Sequence, residues 1–269
     1  MSKQHFKNAQ TLLASVNYYN GRIDGLDGPK TQAAAEIVRR NAGLDWSGFS
    51  AQRKAFAAAQ RILEVAGFEP GSIDGYWGHN TQNAFEAWLD SRAGRTVTLD
   101  RTPTKPAPAG SGKWPLQRDM VRFYGAAGSA QATAGRCRLP IPFVIAWNTS
   151  QRVNQFSCHA KVADTFTKVF DEAVRHYGEA EFRRLRLDRF GGCYNNRNMR
   201  GGNSKSTHAF GVAVDLDPEN NQLRWNRDRS HFARPAYNPF WKIVESHGLV
   251  SLGRERNFDW MHFQAARLS

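Results

Sequence analysis

The sequence predicts a multidomain protein in which small all-α units precede an α+β domain. Three observations predict this class. The first 95 residues contain an internal repeat with a period of 50 residues, and a segment rich in Pro, Thr, Ala and Gly follows. The rest of the chain contains both helical and strand patterns. A chain of 269 residues is long enough for about two domains. We place repeat 1 at 1–48, repeat 2 at 49–95, a linker at 96–113 and the α+β domain at 114–269.

The two repeats align without a gap. Residues 9–34 pair with residues 59–84, and 11 of the 26 paired positions are identical. Each repeat has the pattern of a helix, a tight loop and a second helix. In repeat 2, Asp74 is suited to an Asx-turn and Gly75 to a positive φ, and Thr81 is the candidate N-cap of the second helix.

The part of the chain after the repeats starts with a linker and continues into a mixed domain. Segment 96–113 has no hydrophobic periodicity, which is typical of a semi-extended linker. Beyond it, apolar residues at three- and four-residue steps predict a helix over 159–178, and a second helix begins near Pro239. Strands are predicted over 211–216 and 261–264. Helices packed on a mainly antiparallel sheet are the simplest architecture for these elements.

The charge of the chain is strongly basic and unevenly distributed. The formal net charge is +13, and residues 114–269 contribute 23 basic and 14 acidic side chains, a net charge of +9. Such a field favours an anionic partner: a nucleic acid, an acidic lipid or an acidic cell-wall polymer. No helix-turn-helix, zinc-finger or RNP pattern is present, so we expect no nucleic-acid partner.

Other features of the composition exclude several classes of protein. No run of 18 or more apolar residues occurs, so no transmembrane segment is expected. The N-terminus lacks the apolar core that a signal peptide has, so we expect no signal peptide. The three cysteines are odd in number and form no CxxC motif, which predicts free thiols rather than a disulfide framework.

Two C-terminal segments contain the residue types that a catalytic zinc needs. Such a site takes three protein ligands and keeps one position open for water. His208 and Asp215 lie in the first segment and His262 in the second. In a strand, Ala213 and Asp215 share one face, so the carboxylate lies beside a side chain too small to block a metal. Gly211 allows the chain to turn between His208 and this strand.

Together these segments, S-x-H-x-x-G-x-A-x-D and D-x-x-H-F, resemble the zinc peptidases that cut bacterial cell-wall peptides. The family includes D-alanyl-D-alanine carboxypeptidases and dipeptidases and phage L-alanyl-D-glutamate endopeptidases, and it shares its fold with the Hedgehog signalling domain. The resemblance covers about 185–265. It implies that His208, Asp215 and His262 bind Zn²⁺, and that Asp259 acts as the general base and then the general acid.

One geometric condition comes with this resemblance. In a regular strand, Asp259 and His262 would face opposite sides of the sheet. A bend or bulge near Trp260 is therefore needed to bring them to one cleft. The sequence does not show this bend.

The upstream segment 191–202 also resembles the family. There the resemblance implies an arginine that stabilises the oxyanion formed when water attacks the peptide carbonyl. Arg197 is the first candidate and Arg200 the second. Arg200 is also a candidate for substrate binding, and the arginine that does not stabilise the oxyanion is either structural or solvated. Ser206 either hydrogen-bonds the substrate or serves only the turn. We expect Cys193 to be a buried small residue rather than a nucleophile.

The repeats resemble peptidoglycan-binding domains of the small three-helix type, whose signature is an IDGxxGxxTxxA-like loop and helix. The resemblance covers about residues 4–43 and 53–92, and repeat 1 is the weaker copy. Tyr76 and Trp77 are candidates either for contact with sugar or peptide or for the hydrophobic core.

The sequence therefore predicts an endolysin-like zinc peptidase that binds bacterial peptidoglycan and hydrolyses its stem peptide at the L-alanyl-D-glutamate bond, which lyses the cell. We expect a monomer that stays in the host cytoplasm until it is released to the cell wall or periplasm. The alternatives are a D-alanyl-D-alanine carboxypeptidase or other cell-wall peptidase, and a wall-binding protein without catalytic activity.

Overall fold

The chain divides into two compact units, Met1–Thr98 and Leu99–Ser269. The structure, a computed structural model, describes residues 3–94, 111–199 and 203–268. Most of the predicted linker 96–113 therefore lies outside the described residues, and its last three residues, Ser111–Lys113, form a single 3-10 turn. The two units are described separately.

Over its described residues 3–94, the first unit has α-helices as its only regular elements, two in each repeat. The three-helix form that the resemblance implies is not observed there, because the chain between the second and third helices forms only turns and a loop. The helices are α1 (Lys3–Ser15), α2 (Pro29–Ala42), α3 (Ala51–Val65) and α4 (His79–Arg92).

Both repeats contribute to one hydrophobic cluster. Phe6 and Phe56 occupy equivalent positions in the two repeats, and their ring centroids lie 4.6 Å apart. Trp77 packs edge-on against Phe56 and Phe85 and is only 5% exposed. Of the two roles considered for Trp77, the structure therefore shows the core role. Because the repeats share this core, apolar side chains of each repeat are buried by packing against the other repeat.

A buried glutamine explains much of the sequence identity between the repeats. Gln60 Nε2 donates to Asp74 Oδ1 at 2.9 Å and to Thr81 Oγ1 at 3.1 Å, while its Oε1 accepts from Gly75 N at 2.9 Å. The expectation that Thr81 caps α4 is wrong: the N-cap is Gly78, and the Thr81 hydroxyl is instead buried beside Gln60. Repeat 1 has the same hydrogen bonds around its equivalent residue: Gln10 Nε2 donates to Asp24 and Thr31, and Gln10 Oε1 accepts from Gly25 N.

The tight loop has the predicted turn chemistry. Asp74 Oδ1 accepts from Tyr76 N at 2.9 Å, which closes the Asx-turn. Gly75 has a φ of 71°, and a Cβ at this position would lie 2.5 Å from the carbonyl oxygen of Arg53. Only glycine fits here, because the loop lies directly against the first turn of its own helix α3.

The second unit is an α+β fold built on a six-stranded sheet with the strand order β2-β1-β3-β4-β6-β5. Strands β1 and β3 are parallel, and the other neighbouring pairs are antiparallel, so the sheet is mixed. Its elements are α5 (Met120–Tyr124), β1 (Gly135–Ile145), β2 (Asn148–Cys158), α6 (Ala160–Tyr177), α7 (Glu179–Arg184), β3 (Arg189–Gly192), β4 (Ala213–Leu216), α8 (Asn238–Ser246), β5 (Val250–Ser251), α9 (Leu252–Arg256) and β6 (His262–Gln264).

Helix α6 anchors the sheet of this unit. The two long helices and the two strands expected in this domain are present as α6, α8, β4 and β6. The apolar face of α6 is buried, and its Phe166 ring contacts the ring of Phe263 in β6 at a centroid distance of 6.0 Å. This contact fixes the strand that bears His262 against a rigid helix.

The three cysteines of the chain are free and buried, as the cysteine count predicts. Within the described part of the chain, no helix combines the length and the apolar character needed to span a membrane.

Candidate metal centre

The two central antiparallel strands position two of the predicted ligands. Asp215 in β4 and His262 in β6 are directly paired in the sheet register, so their side chains lie side by side on one face. His208 reaches the same point from the 3-10 turn Thr207–Phe210, which comes just before β4. All three residues are at most 5% exposed.

Gly211 permits the approach of His208, as the sequence predicts. Its φ is 67°, in the left-handed region, and it ends the 3-10 turn before the chain enters β4. A Cβ at this position would lie 1.9 Å from the carbonyl oxygen of Ala132. No other residue fits this position without displacing the backbone.

The three predicted ligands converge on one point. His208 Nε2 lies 3.3 Å from Asp215 Oδ1, His262 Nδ1 lies 3.0 Å from the same oxygen, and the two nitrogens are 3.1 Å apart. Zinc bonds of about 2.0–2.1 Å in a tetrahedron place neighbouring ligand atoms about 3.3 Å apart. The triangle of donor atoms therefore fits a tetrahedral zinc with one free position.

The outer nitrogens of both rings are hydrogen-bonded away from this point. His208 Nδ1 lies 2.6 Å from the carbonyl oxygen of Cys193, and His262 Nε2 lies 3.0 Å from Gln264 Oε1. Both partners are acceptors, so each ring donates outwards and directs a lone pair inwards. Two lone pairs and a carboxylate facing one another at about 3 Å are the donor set of a bound cation.

The electrostatics of the centre keep Asp215 ionised. Burial raises the pKa of Asp215, but when the two histidine rings are protonated, the charge of His208 and hydrogen bonds from both rings outweigh burial and hold this pKa well below its ordinary value. Burial lowers the pKa of His262, but the hydrogen bond and charge of Asp215 raise it by more, so the net effect is a raised pKa. A metal ligand carboxylate must be deprotonated, and Asp215 meets this condition.

Asp259 lies in a tight turn directly before β6. Its φ is 54°, and its carbonyl oxygen accepts from His262 N at 3.0 Å. Its own N–H donates to the carbonyl oxygen of Leu223 at 2.9 Å, which ties the turn to a neighbouring loop. Asp259 is 7% exposed, and its negative charge contributes to the raised pKa of His262. The chain therefore bends directly before β6, and the role of Asp259 as the base stays a prediction.

The upstream candidates have local partners. Ser206 N donates to the carbonyl oxygen of Arg197 at 3.1 Å, and Ser206 Oγ accepts from His208 N at 3.3 Å. Ser206 thus serves the turn, and its role towards a substrate stays a prediction. Arg197 is half-buried, and its Nη1 donates to the carbonyl oxygen of Asn198 at 3.0 Å. Arg200, the second oxyanion candidate, lies outside the described residues.

Two further side chains near the centre have defined roles. Burial raises the pKa of the Cys193 thiol well above its ordinary value, so the thiol stays neutral and is a poor nucleophile, as expected. His159 is buried nearby but is not a ligand, because its Nδ1 accepts from Lys161 N and its Nε2 lies 3.0 Å from the carbonyl oxygen of Tyr124.

The sequence analysis missed Gln264 and the carbonyl group of Cys193, which orient the two histidines. The alternation of side chains along a strand was the available signal, because it places Gln264 on the same face as His262. The carbonyl group of Cys193 gave no signal, since every residue has one.

A comparison with known families supports a peptidase. A family model described as D-alanyl-D-alanine carboxypeptidase matches residues 200–265, less than half of the chain. No curated protein and no solved structure matches the chain significantly. The matched segment contains the three converging donor residues and Asp259. Residues 200–265 are similar to this family, and the similarity supports a hydrolase, in particular a peptidase that acts on peptidoglycan.

Proposed function

We propose that the protein is a zinc peptidase that hydrolyses the stem peptide of bacterial peptidoglycan, at the L-alanyl-D-glutamate bond. The convergence of His208 Nε2, Asp215 Oδ1 and His262 Nδ1 within 3.3 Å is the observation that carries this proposal. The similarity of residues 200–265 to D-alanyl-D-alanine carboxypeptidases supports the peptide class of the substrate.

His208, Asp215 and His262 would hold the zinc, and Asp259 would move the proton. When bound, zinc polarises a carbonyl and lowers the pKa of its bound water towards about 7. The carboxylate of Asp259 accepts a proton as the water oxygen attacks the peptide carbonyl carbon. It then delivers this proton to the nitrogen of the leaving amine as the C–N bond breaks.

Arg197 would stabilise the developing oxyanion in this mechanism. A donor aimed at such an oxygen typically contributes about 3–4 kcal/mol to the stability of the transition state. The main chain of Arg197 lies beside Ser206, two residues before the ligand His208, which supports a position near the reacting carbonyl. Arg200 is the alternative donor, and Ser206 is a candidate for substrate contact.

The first unit would bind peptidoglycan and so raise the local concentration of the peptidase on its polymer. The resemblance of the repeats to peptidoglycan-binding domains supports this part, and the excess of basic residues favours an anionic wall. In this proposal the protein acts as an endolysin: a monomer released from the host cytoplasm to the wall, where it lyses the cell.

A D-alanyl-D-alanine carboxypeptidase is the second candidate, because the matching family has this description. The two candidates differ in what they release. An L-alanyl-D-glutamate endopeptidase frees stem peptides from the glycan strands, whereas a carboxypeptidase frees only terminal D-alanine. A wall-binding protein without activity is disfavoured by the complete donor set.

The test is a digestion of purified sacculi by the zinc-loaded full chain, followed by mass spectrometry of the soluble products. We expect stem peptides with a new terminus at D-glutamate, and no release after chelation of the metal. Free D-alanine as the sole product would move the protein to the second candidate. No product from a zinc-loaded chain would exclude both peptidase proposals.

A further inference from the structure

Gln264 is buried directly behind one of the candidate metal ligands. It lies two residues after His262 in β6, is 1% exposed, and places its Oε1 at 3.0 Å from His262 Nε2. Its amide nitrogen donates to the carbonyl oxygen of Ala266 at 2.7 Å. Because a carbonyl only accepts, this second bond fixes the orientation of the amide and directs the oxygen towards His262.

This fixed orientation determines the tautomer of His262. In the neutral ring, an acceptor at Nε2 holds the single hydrogen on Nε2, which leaves the lone pair at Nδ1. Nδ1 is the atom that lies 3.0 Å from Asp215 Oδ1 and 3.1 Å from His208 Nε2. The hydroxyl of Thr207 is a weaker partner of Nε2, since it lies 3.5 Å away.

The two ligand histidines are oriented in different ways. His208 is oriented by the carbonyl oxygen of Cys193, a main-chain group that no side-chain substitution removes. His262 is oriented mainly by the side chain of Gln264, which a single substitution changes. The metal affinity of the centre therefore depends on residue 264 in a way that can be measured.

We propose that Gln264 is a positioning residue that fixes His262 in its metal-binding tautomer and thereby sets the metal affinity of the centre. This inference rests on the proposed zinc site. Gln264 acts through His262 and does not itself contact the metal or the substrate. Groups that hydrogen-bond a metal-ligating histidine in this way typically change metal affinity by about 10–100-fold when they are removed.

Two substitutions of Gln264 separate this role from simple packing. Gln264→Met keeps the length and fills the buried space but offers no oxygen to His262, so we expect zinc affinity to fall about 10–100-fold. Gln264→Glu keeps an oxygen acceptor towards His262 in either protonation state. We therefore expect zinc affinity within about tenfold of that of the unchanged chain.

The measurement uses the full chain in its metal-free form. Zinc affinity is determined by competition with a chromophoric chelator, and the cobalt-loaded protein is compared by visible absorption. Thermal unfolding of the metal-free variants is recorded on the same preparations. Gln60→Met is the matched control, because Gln60 is equally buried and hydrogen-bonded but lies in the first unit. We expect it to lower the stability of that unit and leave metal affinity unchanged.

The outcomes distinguish this inference from the proposed function. If the unchanged chain binds zinc and Gln264→Met binds it equally well with the same cobalt spectrum, Gln264 does not position His262. If Gln264→Met does not fold, Gln264→Glu decides: loss of affinity by tenfold or more would contradict the role of the oxygen acceptor. If the unchanged chain binds no zinc, the proposed function fails and this inference fails with it.

Discussion

Asp259 and His262 are joined by a main-chain hydrogen bond of 3.0 Å, from His262 N to the carbonyl oxygen of Asp259. This bond closes a tight turn directly before β6, and Asp259 adopts a φ of 54° within it. In a regular strand the two side chains would lie on opposite faces. Asp259 precedes the strand, so this alternation does not apply to it, and its charge contributes to the raised pKa of His262. A non-glycine residue at positive φ is costly and is often found at functional sites.

Replacement of Asp259 by Asn tests its role as the base. The amide keeps the size of the side chain but cannot accept the proton, so we expect kcat to fall by about 10²–10⁴-fold. Zinc stoichiometry and thermal stability should stay near those of the unchanged chain, since Asp259 is not one of the three converging donors. Steady-state hydrolysis of a soluble stem peptide and metal analysis on one preparation measure both quantities.

Asp228→Asn is the matched control for this substitution. Asp228 is an exposed aspartate in the loop that follows β4, and its hydrogen bonds are to Asn226. We expect its replacement to leave turnover and metal content unchanged. If Asp259→Asn loses its zinc, the residue is a ligand or supports one. If it keeps both zinc and full turnover, the base is a different residue.

Replacement of His208 by Ala tests the donor set through stability as well as activity. A ligand that binds only the folded state at 1,000 times its Kd stabilises that state by about 4.1 kcal/mol. We therefore expect added zinc to raise the unfolding temperature of the second unit in the unchanged chain and not in His208→Ala. Calorimetry of each protein with and without zinc measures this shift. An equal shift in both would show that zinc binds elsewhere.

The sequence could indicate the candidate ligands because metal binding depends on side-chain identity, and the structure brings their donor atoms together. His208, Asp215 and His262 have a distinctive spacing, and Gly211 has a φ that only glycine adopts easily. Contacts made between distant segments were not predictable in the same way. Thr81 was predicted to be a helix cap because it stands at the start of a helical pattern. Its actual partner, Gln60, lies 21 residues away, and the local sequence around Thr81 does not indicate this contact.

The first unit shows the same limit. The internal repeat correctly indicated two copies of one helix–loop–helix pattern, but periodicity alone does not reveal which apolar faces meet. The contact of Phe6 with Phe56 links the two copies, so their core is shared. A repeat that resembles an independent domain in sequence thus depends on its neighbour for burial.

Replacement of Phe56 by Ala tests this dependence. Phe56 is fully buried between the repeats, and loss of a buried Phe side chain costs about 3–5 kcal/mol. We expect one cooperative transition in which α1 and α4 lose their structure together. Hydrogen exchange of the full chain under mild denaturant measures the protection of both helices.

Val65→Ala is the control for Phe56→Ala. Val65 lies in the same helix α3 but is 71% exposed, so we expect a change in the free energy of unfolding within about 0.5 kcal/mol. If Phe56→Ala unfolds only repeat 2 and leaves the amide protection of α1 intact, the repeats are separate folding units after all.

His159 should make the stability of the metal-free second unit depend on pH. Burial and the nearby charge of Lys161 lower the pKa of His159 from 6.5, although its hydrogen bond to Tyr124 opposes them. Below about pH 6.5 the unfolded chain then binds more protons at this residue than the folded chain, so its contribution to stability is lost as the pH falls. The raised pKa of His262 acts in the opposite direction, so the effect must be measured as a difference.

His159→Asn keeps a side-chain acceptor for the N-cap of α6 but does not titrate. Urea unfolding of both metal-free proteins from pH 7 to pH 5 should show the unchanged chain losing stability relative to His159→Asn. A constant difference across this range would show that His159 titrates alike in the folded and unfolded states.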